Sequence, residues 1–227
     1  MSFDVICSNC GAPSGPSVGI CPFCKSPFSG GGSKISGKES PTLTKIKKYY
    51  DEGLIERALN LIRTAEREKP KLLNNANFVL LYVKILLEVD GPTSKINSLL
   101  SKALLDKPSD PLLIEYLEIA DARSKLSNQV NDPGELELAN VIRRSPKNVH
   151  ALFLLGSHLF WVEGDTQRSL KYLEACHRWR PNFLRAAACL AAIYKKLGLD
   201  SQASRLFRHC ASLESNKEMK AYFKSLT

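Results

Sequence analysis

The chain has 227 residues, 44% hydrophobic and 24% charged, the composition of a water-soluble protein with ample length for a core. Its net charge of +9 is uneven: residues 141–227 hold 15 Lys and Arg against 6 Asp and Glu, whereas residues 76–140 hold 6 against 10. A basic last third can attract acidic protein, nucleic acid or anionic lipid, but its cations are scattered through helical patterns, as on a solvated face. The opening MSFDVICSNC has neither the basic start nor the apolar core of a secretory signal. The richest apolar runs, NFVLLYVKILLEV and ALFLLGSHLFWV, are broken by Lys84 and by Ser157 and His158. Both fall short of the ~20 apolar residues that span a bilayer. A cytoplasmic protein with no membrane insertion is the expectation; in a reducing compartment four of its seven cysteines, at metal-ligand spacing, point to metal binding rather than disulfides, while Cys176, Cys189 and Cys210 lie inside helical patterns.

Residues 1–28 are rich in cysteine and turn formers. CSNC and CPFC place Cys7, Cys10, Cys21 and Cys24 as two Cys-x-x-Cys pairs with ten residues between them. Each such turn offers two thiolates from one tight loop, and two turns complete the tetrahedral shell that zinc prefers. The segment looks like the short bacterial and archaeal zinc ribbon, with Gly11 after the first pair and Lys25 where a second glycine would stand. An iron site of rubredoxin type would separate the pairs by a larger aromatic-rich core. A thioredoxin-like redox pair would need a flanking strand and helix. One structural zinc is therefore expected: a closed four-thiolate shell leaves no position for activating water. So small and polar a segment needs its metal to hold a fold.

Residues 29–40, SGGGSKISGKES, have the composition of a flexible linker spanning about 20 Å as a coil. Gly32, Gly37 and Lys38 nearly spell a phosphate-binding loop. Glu39 replaces the Mg²⁺-binding hydroxyl and no strand precedes, so the match reads as chance.

From residue 41 to 227 the sequence repeats. Gly53, Ala58, Ile62, Ala65 and Pro70 of the first repeat recur as Gly91, Ile96, Leu100, Ala103 and Pro108 in the second. Gly164, Ser169, Leu173, Cys176 and Pro181 fill the same roles in the fourth. Gly198, Ala203, Phe207 and Cys210 fill them in the fifth, with Ser215 in the proline place. Cys176 and Cys210 are 34 residues apart, as are Gly164 and Gly198. The third repeat, residues 111–148, departs: SNQVND lengthens its turn, and Gly134 takes the small helical place. The period and residue roles resemble the tetratricopeptide repeat over residues 39–217. That resemblance implies an all-α solenoid of about five helix–turn–helix units with a concave groove, preceded by the ribbon. Asp110, Asp132, Asn148, Asp165, Asn182, Asp200 and Ser40 are candidate helix caps, with Glu135 completing a capping box. SNKEMKAYFKSLT reads as a capping helix, with Met219, Tyr222 and Phe223 packed back.

By that resemblance Phe153 and Trp161 sit on the groove face in the fourth repeat with His150 and Ser157 nearby, either as partner anchors or as packing, and Arg185, Ala188, Ala192, Lys195 and Lys196 match them in the fifth. Aromatics beside Arg and Lys suit an extended acidic segment or a free carboxylate. The Lys and Asn set of the chaperone-tail clamp found in some members is missing. Cys176-His177 and His209-Cys210 read as core cysteines with half-exposed histidines. No glutamate–histidine pair or nucleophile–base set has catalytic spacing, so an enzyme is not expected. The sequence points to an adaptor that binds another, unidentified protein, with the ribbon as brace or second contact. The alternative is a nucleic-acid-associated protein using the ribbon and the basic repeats, a reading weakened by a ribbon whose sole cation is Lys25.

Overall fold

The computed structural model describes residues 5–6, 13–14, 40–126 and 132–227. Two compact units divide the chain, Met1–Glu39 and Ser40–Thr227. In the first, β1 (Val5–Ile6) pairs antiparallel with β2 (Pro13–Ser14), Val5 opposite Ser14 and Ile6 opposite Pro13. Cys7, Cys10, Cys21 and Cys24 lie outside the described residues, as do the linker residues 29–39.

The second unit is built from helix pairs. They are α1 (Pro41–Asp51) with α2 (Ile55–Glu68), α3 (Ala76–Glu88) with α4 (Thr93–Asp106), and α5 (Pro111–Lys125) with α6 (Pro133–Arg144). Then come α7 (Val149–His158) with α8 (Thr166–Trp179), α9 (Leu184–Lys196) with α10 (Asp200–Leu213), and a last helix α11 (Lys217–Ser225). Each second helix packs on its own partner and on the next pair's first helix, and the first helices α1, α3, α5, α7 and α9 form a continuous row. The five expected repeats are thus five stacked pairs, the atypical third included. Ile46, Ile62, Phe78, Ile96, Leu138 and Leu155 are among the fully buried side chains of the shared apolar core. Among the described residues, no helix is long and apolar enough to cross a membrane.

Backbone chemistry sets the turns. Gly53 (φ +76°) and Gly198 (φ +72°) end α1 and α9 in the left-handed conformation, where a side chain would crowd its own carbonyl. The amides of Leu54 and Leu199 then reach back to Tyr49 and Tyr194. In the second repeat the corresponding residue is Asp90 (φ +59°), not Gly91. Gly91 comes one residue later, where a Cβ would lie 2.8 Å from Leu86 Cδ2, so glycine is needed there for space.

Asp110, Asp132, Asn148 and Asp165 accept backbone amides at helix starts as expected. Asn182 and Asp200 do not cap: α9 begins after Phe183, and Asp200 lies inside α10, its carboxylate 2.7 Å from Lys195 Nζ. Ser40 precedes α1 without a side-chain capping bond. Glu135 is held at 2.5 Å by Arg168 of α8. Asn75 and Asn216 are caps that the pattern did not single out.

Candidate functional site

The first helices of the last two pairs and α11 enclose a groove of about 420 Å³. Phe153, Ser157 and Trp161 line it from α7 and the turn that extends it, Arg185, Ala188, Cys189 and Ala192 from α9, and Tyr222 and Leu226 from the C-terminal segment. The helix of α7 runs on through a wider π-type turn, Leu159–Glu163, which ends at Gly164 (φ +72°). Rotation per residue is smaller in such a turn, so Trp161 stays near the face of Phe153 and Ser157 instead of drifting off it. Trp161 is 68% exposed and Tyr222 55% exposed, although both carry large apolar rings. Both rings leave apolar surface facing water at the rim of the concavity.

The floor is aromatic and the charge beside it is positive. Phe153 is buried, its ring 4.7 Å from that of Phe183, and the Arg185 guanidinium lies 5.1 Å from the Phe153 centroid. On its other side Arg185 Nη1 is 3.4 Å from Asp90 Oδ1. Ser157 donates its hydroxyl back to the Leu154 carbonyl at 3.1 Å. Burial pushes the Cys189 thiol up to about 11, outweighing its contact with Trp161, which keeps it protonated and unreactive.

Phe153, Ser157, Trp161 and Arg185 thus share one groove, together with Ala188 and Ala192. Lys195 and Lys196 do not line it: Lys195 pairs with Asp200, and Lys196 Nζ sits 5.3 Å from the Phe160 ring. The wall supplied by Tyr222 and Leu226 was missed, because the last helix reads as apolar residues packed inward. Phe223 alone of the expected three is buried there; Met219 and Tyr222 are exposed.

His150 does not reach the groove. It is 1% exposed and belongs to a polar cluster where distant repeats meet. Its Nδ1 is 3.0 Å from Tyr116 Oη, and its Nε2 is 3.5 Å from Glu88 Oε1. Arg180, in the turn after α8, donates from Nε to Glu88 Oε1 at 2.5 Å and from Nη2 to Glu88 Oε2 at 3.3 Å. The same guanidinium donates to the Tyr50 carbonyl at 2.9 Å and stacks 3.6 Å from the Tyr50 ring centroid. Burial opposes charge on Glu88, but His150 and Arg180 outweigh it and hold its carboxyl below the usual range. Burial likewise pushes the His150 imidazole down, only partly offset by Glu88, so the ring is neutral at pH 7.

No family model matches the chain, and no curated protein matches it. Among solved structures, a tetratricopeptide repeat protein from Parabacteroides merdae is 15% identical, covers 82% of this chain and 69% of its own, and superposes with a TM-score of 0.49. A thermophilic tetratricopeptide repeat protein of Thermus thermophilus is 14% identical over 82% of this chain and 96% of its own, with a TM-score of 0.47. YrrB, described as having an unusual peptide-binding site, is 16% identical over 84% of this chain and 94% of its own, with a TM-score of 0.39. At such values the repeat architecture rests on this chain's own helices and turns.

Proposed function

We propose that the chain is a protein-interaction scaffold whose α7–α9–α11 groove holds an extended segment carrying a bulky apolar side chain near a carboxylate. The reading is carried by one observation: Trp161 and Tyr222 stand exposed over an aromatic floor beside Arg185. An apolar side chain would displace water from Phe153, Trp161 and Tyr222, and Arg185 would meet the carboxylate through paired N–H donors. Cys7, Cys10, Cys21 and Cys24 would hold one zinc that braces the N-terminal segment as a second, tethered contact. Two weak contacts joined by a linker gain avidity when both engage at once.

The test selects peptides from a random display library with the purified chain, in parallel with the Trp161→Ala/Tyr222→Ala double variant. Support is a recovered consensus of aromatic or aliphatic residues beside Asp or Glu, lost with the double variant. Enrichment that is the same for both proteins sinks the groove reading. Binding of single-stranded RNA or DNA that weakens steeply with added salt would instead favour a nucleic-acid role.

A further inference from the structure

Repeats of a solenoid ordinarily touch only their neighbours. Here the end of α1 and the end of α3 also touch the α8–α9 turn. Arg180 bridges Glu88 and Tyr50, and Asn182 Nδ2 donates to the Asp51 carbonyl at 3.3 Å. At Gly53 the approach is so close that a Cβ would stand 2.8 Å from Asn182 Cβ. The sequence separations are 92 for Arg180–Glu88 and 130 for Arg180–Tyr50.

This seam differs in kind from the joints between neighbouring repeats. Those joints are broad apolar packing with ion pairs such as Lys95–Glu66 and Arg168–Glu135 at their edges. The seam is held by an ion pair, hydrogen bonds to backbone carbonyls and one cation–π stack. On one side it is flanked by a cavity of about 400 Å³ touching Leu54, Val89, Phe183 and Leu213, and on the other by one of about 330 Å³ touching Asp51, Lys147, Trp179 and Asn182. Tyr50 and Phe183 are buried beside it, so opening it exposes rings as well as the ion pair. A buried ion pair adds little net stability, because desolvation offsets most of the attraction. Separating the seam would leave every helix pair packed on its neighbours.

We propose that Glu88 is an internal ligand: its carboxylate, seated on Arg180 and His150, latches the first two repeats onto the α8–α9 turn, and the latch opens while the repeats stay folded. In the open form Tyr50, Tyr116, His150 and Phe183 face solvent, adding an inner surface that the closed form hides. Arg185 spans both regions, since it contacts Asp90 beside the seam and Phe153 in the groove. The latch stands on the seam geometry and holds whether or not the groove binds a peptide.

The test compares the full chain with Glu88→Gln by small-angle scattering and by amide hydrogen exchange. The expected result is a larger radius of gyration, with exchange at least tenfold faster in α1 and the first turn of α9, and unchanged exchange in α4 to α6. An unchanged radius with unchanged exchange overturns the latch. So does acceleration spread evenly over all helices, which marks Glu88 as ordinary core. Should Glu88→Gln fail to fold, native-state exchange of the unaltered chain in rising urea decides. Joint opening of α1 and the α9 start below the global transition supports the latch, and exchange there only on global unfolding overturns it.

Discussion

The hydroxyl of Ser169 donates to the carbonyl oxygen of Gly156 at 2.6 Å, tying α8 to α7. A Cβ on Gly156 would meet Leu173 Cγ at 2.8 Å and Tyr172 Cβ at 3.2 Å. Gly156→Ala gains about 1 kcal/mol of helix propensity but overpacks this contact, at a cost of ~1–3 kcal/mol. A net loss of up to about 2 kcal/mol is expected from urea unfolding, against roughly 0.5–1 kcal/mol for Ser169→Ala. A stabilised Gly156→Ala would show that the pair has room to spare.

Gly53 and Gly164 share nearly the same positive φ, yet only Gly53 is hemmed in; nothing lies within 4 Å of a Cβ built on Gly164. Alanine at either position carries the left-handed penalty of about 1–2 kcal/mol. Gly53→Ala must also push against Asn182 and Leu213, so it should cost at least about 1 kcal/mol more than Gly164→Ala in parallel thermal melts. Equal costs would mean that the seam is absent in solution.

Acid should weaken the fold in two stages. His150 is faced by Glu88 and Lys84 from α3, Tyr116 from α5 and Arg180 from the turn after α8. Its folded pKa lies below the ordinary 6.5, so just below that pH the unfolded chain takes up a proton that the folded chain refuses. Stability therefore falls as pH drops through this window, with a slope of at most about 1.4 kcal/mol per pH unit for one proton. The Glu88 carboxyl is held below its ordinary 4.5, so its contribution is present above that pH and is lost on further acidification. His150→Asn, which keeps a partner for the Tyr116 hydroxyl, should shrink the first stage in urea titrations at pH 5 to 8, leaving the share of His177, whose imidazole is also held down by burial and by His209. A first stage of undiminished size would assign it away from His150.

Trp161 can be removed without harming the core. It is largely exposed, its ring packing 4.6 Å from Phe160 and touching Cys189. Trp161→Ala should shift unfolding by no more than about 0.5–1 kcal/mol. Peptides selected on the unaltered groove should bind it at least tenfold more weakly by fluorescence anisotropy. Arg185→Gln should weaken acidic peptides more than their amidated counterparts.

The N-terminal segment makes a separate prediction. Native mass spectrometry of the intact chain should find one zinc, and Cys7→Ser with Cys21→Ser should lose it. An iron mass, or no metal, would refute the ribbon. A chelator should leave the helical circular-dichroism signal unchanged, because residues 40–227 form a compact unit with its own core.

What the sequence by itself determined is local. The recurring small and large apolar positions placed five helix pairs and the buried Ile62, Leu100, Leu173 and Cys176. Gly53, Gly164 and Gly198 marked turns that need a left-handed residue. Asp90 escaped because aspartate, like asparagine, tolerates that conformation and Gly91 beside it was the stronger signal. The tetratricopeptide resemblance placed Phe153, Ser157, Trp161 and Arg185 at the groove, whereas Tyr222 escaped, since an amphipathic helix does not announce which neighbour leaves it uncovered. The seam was invisible. Glu88 reads as one charge ending an apolar helix, and Arg180 as one cation in a basic third of the chain. Their meeting depends on small rotations accumulated from repeat to repeat, and no motif encodes that sum. Periodicity records contacts within a helix pair and with the next pair. Only the tertiary structure decides whether the superhelix returns far enough for its first turn to meet its fourth, which is why His150 was expected in the groove and is buried beneath the seam.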